Sequence, residues 1–154
     1  MTVHYRTQGF ILGKEDRGEA DRVFTIFTKD FGRLKLRAVS ERKITSKLRG
    51  GLELFYLSDI EFIQGKYQKT LTNASPLKTY RHMRQDLLRL VLVWRIAEFF
   101  NKVVRDQEVD EKIWNILHET FDMMNNKDLN SQALKLIPSQ FRWNLLSVSG
   151  YKPS

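Results

Sequence analysis

Hydrophobic residues along this chain change their spacing once, near Pro76 to Tyr80, and that change limits the folds open to it. Before it, apolar residues recur at every second position or in short runs. Gly9 to Gly13 is a short apolar run. Val23 to Thr28 (VFTIFT) alternates β-branched and aromatic residues, as a half-buried pleated surface requires. Lys29, Asp30, Phe31 and Gly32 give a turn signal. Arg33 to Val39 (RLKLRAV) alternates charged and apolar residues, so one face is cationic and the other meets a core. Leu52 to Ile63 is a long strand candidate closed by Gln64 and Gly65, and Tyr67 to Ala74 is the fifth. Five strands at short spacing predict a small closed barrel.

Beyond the change the period is helical. Arg81 to Val104 carries apolar residues nearly all round, which predicts one long helix buried on several sides. Asp110 is placed to cap a second helix, Glu111 to Met124, with Ile113, Trp114, Leu117 and Phe121 on one stripe. A third starts at Asn130 or Ser131, and Pro138 inside it is predicted to kink or split it. The chain of 154 residues thus reads as α+β. Residues 1–79 form the barrel domain and residues 80–154 a helical domain.

Charge then narrows the function. The net charge is +8, which favours a polyanionic partner. The first 80 residues hold 15 Lys+Arg against 9 Asp+Glu, so the excess sits mostly in the barrel half. Its centre is Arg33, Lys35, Arg37, Arg42, Lys43, Lys47 and Arg49, opposed only by Glu41. Arg33, Lys35 and Arg37 share a strand face, and the others follow on a loop. Such a surface suits a phosphate backbone, because each neutralised phosphate releases counterions. The plain alternative is a solvated strand face that guards an edge. Phe24, Phe27, Phe31, Phe55, Tyr56 and Phe62 interleave with this region, mostly as barrel core, while Tyr56, Tyr67 and Phe31 are the rings that exposure would turn into stacking platforms.

Other constellations give little chemistry. No cysteine is present, which excludes disulfides, thiol catalysis and cysteine-bound zinc. Glu15, Asp16, Glu19 and Asp21 are interrupted by Arg17 and Arg22 and read as a solvated loop; a metal-dependent nuclease is the remote alternative. His4, His82 and His118 lack ligand spacing, and no metal or cofactor is expected. Gly50-Gly51 lacks a phosphate-loop context and reads as a bend. No catalytic group is assigned, and the chain is read as non-enzymatic. The N-terminus shows no secretory pattern, and Leu87 to Phe100 is too short and too charged to span a bilayer. On the long helix, Arg84, Arg89 and Arg95 beside Trp94 form a candidate rim for an acidic peptide with a hydrophobic end. The plain alternative is a core helix with cationic edges.

These residues also carry a family pattern. TQGFILGKEDRGEADRVFTIFTKDFGRLKLRAV, followed by SKLRGGLELF, resembles the start of the family of the bacterial recombination mediator RecO. The matching elements are Gly18, Glu19 and Asp21, then Thr28 and Gly32, then Ser46, Leu48, Gly50 or Gly51, and Leu52. The ending FRWNLLSVSGYKPS, with Gly150, Tyr151 and Pro153, is similar to the family's helical region. The resemblance implies an N-terminal five-stranded OB-fold β-barrel followed by an α-helical domain. It implies binding of single- and double-stranded DNA, strand annealing, and work with RecR to load recombinase onto DNA coated by single-strand-binding protein. It further implies contact with that protein's acidic tail, and a cytoplasmic, nucleoid-associated bacterial setting. Many members carry a four-cysteine zinc module after the Gly-Tyr-x-Pro segment, which this chain lacks, and the helical domain is expected to be incomplete relative to the family. The rival expectation is an adaptor that captures acidic protein tails without binding nucleic acid.

Overall fold

A computed structural model describes residues 2–18, 21–39 and 46–149, with the side chains of 46 and 47 left out of the description. The barrel has five strands: β1 (His4–Arg17), β2 (Asp21–Thr28), β3 (Gly32–Ala38), β4 (Leu57–Gln64) and β5 (Lys69–Lys78). A short helix, α1 (Ser46–Gly50), lies between β3 and β4 in sequence. The strands close in the order β1-β2-β3-β5-β4, with β1 completing the ring against β4. This is the OB-fold barrel.

The closure depends on β1, which is longer than its apolar run suggested. Its first half pairs with β4 and its second half with β2, so one strand serves both neighbours. A bulge between Ile11 and Gly13 makes the bend. There Ile11 bonds outside the ladder. Its N–H donates to Tyr56 O at 3.0 Å, and its carbonyl accepts from Phe55 N at 2.7 Å. Phe55 takes a left-handed conformation, φ 69°, to reach it. That corrects the expected strand at Leu52: β4 begins at Leu57, because residues 55 and 56 are spent on the bulge. Similarly, β5 begins at Lys69 and leaves Tyr67 in the turn before it.

Period two on β3 has the predicted outcome. Leu34, Leu36 and Ala38 are buried in the barrel core with Ile11, Phe24, Ile26, Ile60, Phe62, Leu71 and Ala74. The β2–β3 turn is pinned by Thr28, whose hydroxyl donates to Gly32 O at 2.7 Å and accepts from Phe31 N at 3.0 Å.

The pairing of β3 with β5 is parallel and covers only Leu36↔Lys69 and Arg37↔Thr70. The start of β3 therefore has another partner, the segment Asp106–Val109, which belongs to the same compact unit as the barrel. Gln107 N donates to Arg33 O at 2.9 Å, and Arg33 Nε donates to Asp106 Oδ1 at 2.8 Å. Gly32 permits this approach. Its φ is +73°, and a Cβ there would lie 2.7–2.8 Å from the backbone of Gln107 and Glu108. Gly32→Val is expected to destabilise the barrel unit by more than about 2 kcal/mol, since left-handed strain and the backbone clash act together. Chemical denaturation checks this, with Gly18→Val as the control. Gly18 shares the left-handed φ, +67°, but a Cβ there would meet nothing within 4 Å.

The second unit holds Tyr80–Arg105 and the chain from Asp110 onward. Its helices are α2 (Arg81–Gln85), α3 (Leu87–Val103), α4 (Glu111–Met124) and α5 (Ser131–Val148). The predicted single helix from Arg81 is thus two. Asp86 breaks it in an extended conformation and caps α3 by accepting from Leu88 N. Asp110 caps α4 and Asn130 caps α5, as predicted. Pro138 does not split α5. It removes one backbone hydrogen bond, while Leu134, Ile137, Phe141 and Leu145 remain in phase on the buried stripe through it. Tyr80 precedes α2 and is buried edge-on against Phe121 at 5.4 Å, and burial, reinforced by Asp122, pushes its phenol up.

Candidate nucleic-acid interface

The outward side chains of β3 do not behave alike. Arg33 is mostly covered, with 14% of its side chain exposed, and is held by Asp106. The predicted open cationic face therefore begins with an ion-paired and mostly covered residue. Lys35 is exposed and has no carboxylate partner among the described residues. Arg37 is half-buried, with Asp21 Oδ2 3.8 Å from its Nη1. Its Nε is shielded from solvent and has no hydrogen-bond partner among the described residues. Of the predicted loop cations, Arg42 and Lys43 lie outside the described residues. Lys47 is described only as part of the α1 backbone, and Arg49 is exposed at the end of that helix.

Lys35 and Arg37 instead share a cleft with residues that the local charge excess did not single out. The cleft has a volume of about 230 Å³ and is lined by Arg17, Val23, Lys35, Arg37, Gln64, Tyr67, Gln68 and Lys69. All five strands and one turn build it: the end of β1, the outward positions of β2 and β3, the last residue of β4, the β4–β5 turn and the first residue of β5. Lys69 arrives because the parallel β3–β5 pairing sets it opposite Leu36, between Lys35 and Arg37 in sequence. Period-two spacing on one strand could not show a cation contributed by a parallel neighbour far along the chain. Arg17 is partnered by Glu15 at 3.0 Å, whereas Lys69, like Lys35, has no carboxylate partner among the described residues. Four cations and two amide side chains thus face one groove, which suits phosphate oxygens and base edges.

A second cavity of about 420 Å³ shares Gln64 and Lys69 with the first. Tyr5, Phe31, Leu34, Phe62 and Val109 give it an apolar lining, and Asp30 and Gln107 add polar groups. Its rings are mutually packed, Tyr5 on Phe62 at 5.3 Å and Phe31 edge-on to both. Phe24, Phe27, Phe55 and Phe62 are buried, as their alternation suggested. Tyr56 and Phe31 are half-buried, and Tyr67 is 85% exposed.

The acidic residues do not gather into a centre. Glu15 and Asp16 lie at the end of β1 rather than in a loop, and pair with Arg17 and Arg22; Asp21 opens β2. Glu19 lies outside the described residues. Among the described residues, no group of three or more His, Asp or Glu is arranged to hold a metal. No helix among them is long and apolar enough to cross a membrane.

The helical unit corrects the predicted peptide rim in one respect. Arg89 is buried, 6% exposed, and its guanidinium is consumed by Asp86 Oδ2 and by the carbonyls of Met124, Asn126 and Leu129. It cannot face a peptide. Arg84 is half-buried on α2, while Trp94, at 47%, and Arg95 are exposed on α3. Arg95 lines a cavity of about 230 Å³ between α3 and α5, with Ile96, Glu98, Phe99, Lys102, Pro138 and Arg142.

Residues 1–80 match the family model of the recombination protein O N-terminal domain. The DNA repair protein RecO of Dehalococcoides mccartyi is 31% identical over 149 residues, covering 97% of this chain and 57% of that protein. The RecO of a Roseiflexus species is 32% identical over 149 residues, covering 97% and 51%. That of Alkaliphilus metalliredigens is 28% identical over 148 residues, covering 96% and 59%. The chain therefore spans between half and three fifths of the length of these curated relatives.

Proposed function

Since the chain belongs to the RecO family, we propose that it is a DNA-binding protein of recombinational repair whose contact surface is the cationic cleft beside β3. The observation that carries this reading is the meeting of Lys35, Arg37 and Lys69 in one groove, where Lys35 and Lys69 have no carboxylate partner among the described residues. A groove of this kind holds phosphates by charge and reads little sequence. Annealing needs no catalytic group. A cationic surface lowers the repulsion between two backbones, and base pairing then joins the strands. The chain is accordingly read as a non-enzymatic mediator that binds single- and double-stranded DNA and acts with RecR in recombinase loading.

The cavity between α3 and α5 supports a second contact. Arg95, Lys102 and Arg142 surround Phe99 and Pro138, a combination that suits the acidic, hydrophobic-ended tail of a single-strand-binding protein. Trp94 and Arg84 extend the candidate set, and Arg89 leaves it.

The test is affinity for a single-stranded oligonucleotide across a salt series. Four phosphate contacts predict a log–log slope of about −3, and Lys35→Ala, Arg37→Ala and Lys69→Ala together should flatten it by about 2. An unchanged slope would remove the cleft as the site. Absence of binding at low salt, with retained affinity for an acidic peptide, would favour the adaptor instead.

A further inference from the structure

Tyr67 is the largest exposed side chain in the cationic cleft, and the phosphate contacts leave it without a task. It sits in the turn between β4 and β5 with 85% of its surface exposed. The other lining residues are cationic or amide-bearing except Val23. Lys66 Nζ stands over its ring at 5.5 Å, and at such exposure the lysine shields little of it. Neither barrel core nor helical packing holds the ring, so folding does not account for it.

We propose that Tyr67 is a stacking platform for an unpaired nucleobase, and that it makes this cleft prefer single strands over duplex. The inference rests on the nucleic-acid reading of the cleft and adds the feature of the ligand that the ring selects. Phosphates sit on Lys35, Arg37 and Lys69, and the base turns toward the ring at the lip of the same groove. In a duplex both faces of each base are already stacked, so the ring gains nothing there. In a single strand the face is available, and any base can use it. Gln64 and Gln68 flank the position with amide groups that can meet a base edge.

Two substitutions test the ring itself. Tyr67→Ala is expected to weaken binding of an oligothymidine by roughly fivefold or more, from the low end of what one stacked base contributes upward. Duplex affinity and the salt slope should stay as in the unaltered protein. Tyr67→Phe should restore single-strand affinity, because it keeps the ring and loses only the hydroxyl. Tyr67→Trp adds a direct readout, since its indole emission should be quenched by oligothymidine beyond any change from Trp94, Trp114 and Trp143. Tyr67 is an exposed turn residue, so the melting temperature of Tyr67→Ala should equal that of the unaltered protein. Equal losses on single strand and duplex, or no loss on either, would overturn the role of the ring while leaving the cleft as a phosphate site. If the unaltered protein binds neither oligonucleotide, the nucleic-acid reading itself fails.

Discussion

Arg89→Ala should cost the helical unit about 3–5 kcal/mol, which is a large part of the stability of a small domain. The reason is the set of acceptors it leaves behind. Arg89 Nη1 donates to the carbonyls of Met124 and Asn126, both at 2.8 Å, and Nη2 reaches Leu129 O at 3.3 Å. Met124 is the last residue of α4, where carbonyls have no partner within the helix and carry the negative end of its dipole. Asn126 and Leu129 belong to the connection that leads into α5. A single planar guanidinium therefore ties the end of one helix to the start of the next. Asp86, which caps α3, accepts from Nε at 3.1 Å and balances the charge. Arg89→Lys is expected to recover only a minor share, because an ammonium cannot present the same flat fork of donors. Denaturant titration followed by near-ultraviolet circular dichroism, which reports on buried Trp114, separates the variants. Equal midpoints for alanine and the unaltered protein would show that water replaces the guanidinium without loss.

Charge reversal in the cleft has the other large expected effect. Lys35→Glu with Lys69→Glu should weaken single-strand binding roughly hundredfold at low salt, because two phosphate contacts are lost and repulsion takes their place. The gap should narrow as salt rises and screening takes over. Lys35 is exposed, and neither lysine has a carboxylate partner among the described residues, so the fold should be indifferent to the exchange. Arg33→Ala makes the contrast. It removes a cation from the same strand, yet that cation is neutralised by Asp106 and mostly covered. It should alter stability and leave the salt slope nearly unchanged. Filter binding or fluorescence anisotropy over a salt series, beside melting curves, distinguishes the two outcomes.

Much of this organisation is readable from spacing. Period two in RLKLRAV gives both the buried row Leu34, Leu36, Ala38 and the outward row that carries Lys35. Asp110 and Asn130 announce their helices because a side-chain oxygen at that position satisfies N–H groups that the helix cannot. The misses have a common physical cause, which is that tertiary contacts overrode local pattern. Residues 52–56 look like strand, but Phe55 and Tyr56 are drawn to the backbone of Ile11 at the bulge. Arg89 looks like one more cation on a helix edge, and only the meeting of α3 with the end of α4 shows that it points inward. Arg33 resembles Lys35 in sequence, and its fate is decided by Asp106, which lies beyond a whole helix. Lys69 enters the cleft through a parallel pairing that no local period encodes. Tyr67 is legible as one of three rings that exposure would make stacking platforms, but its spacing also reads as the start of the fifth strand, and only the structure puts it in the turn and exposed.

The segment Asp106–Val109 has a consequence for the order in which this chain can acquire its structure. The family match ends at residue 80, after the last strand of the barrel, yet the first turn of β3 finds its hydrogen-bond partner only between α3 and α4. During synthesis, when domains fold as their sequence emerges, the barrel must therefore wait with part of an edge open until all of α3 has been made. A fragment cut at the family boundary should behave as that waiting state does. It should keep the five-stranded core but present the backbone of Gly32 and Arg33 to solvent or to another strand.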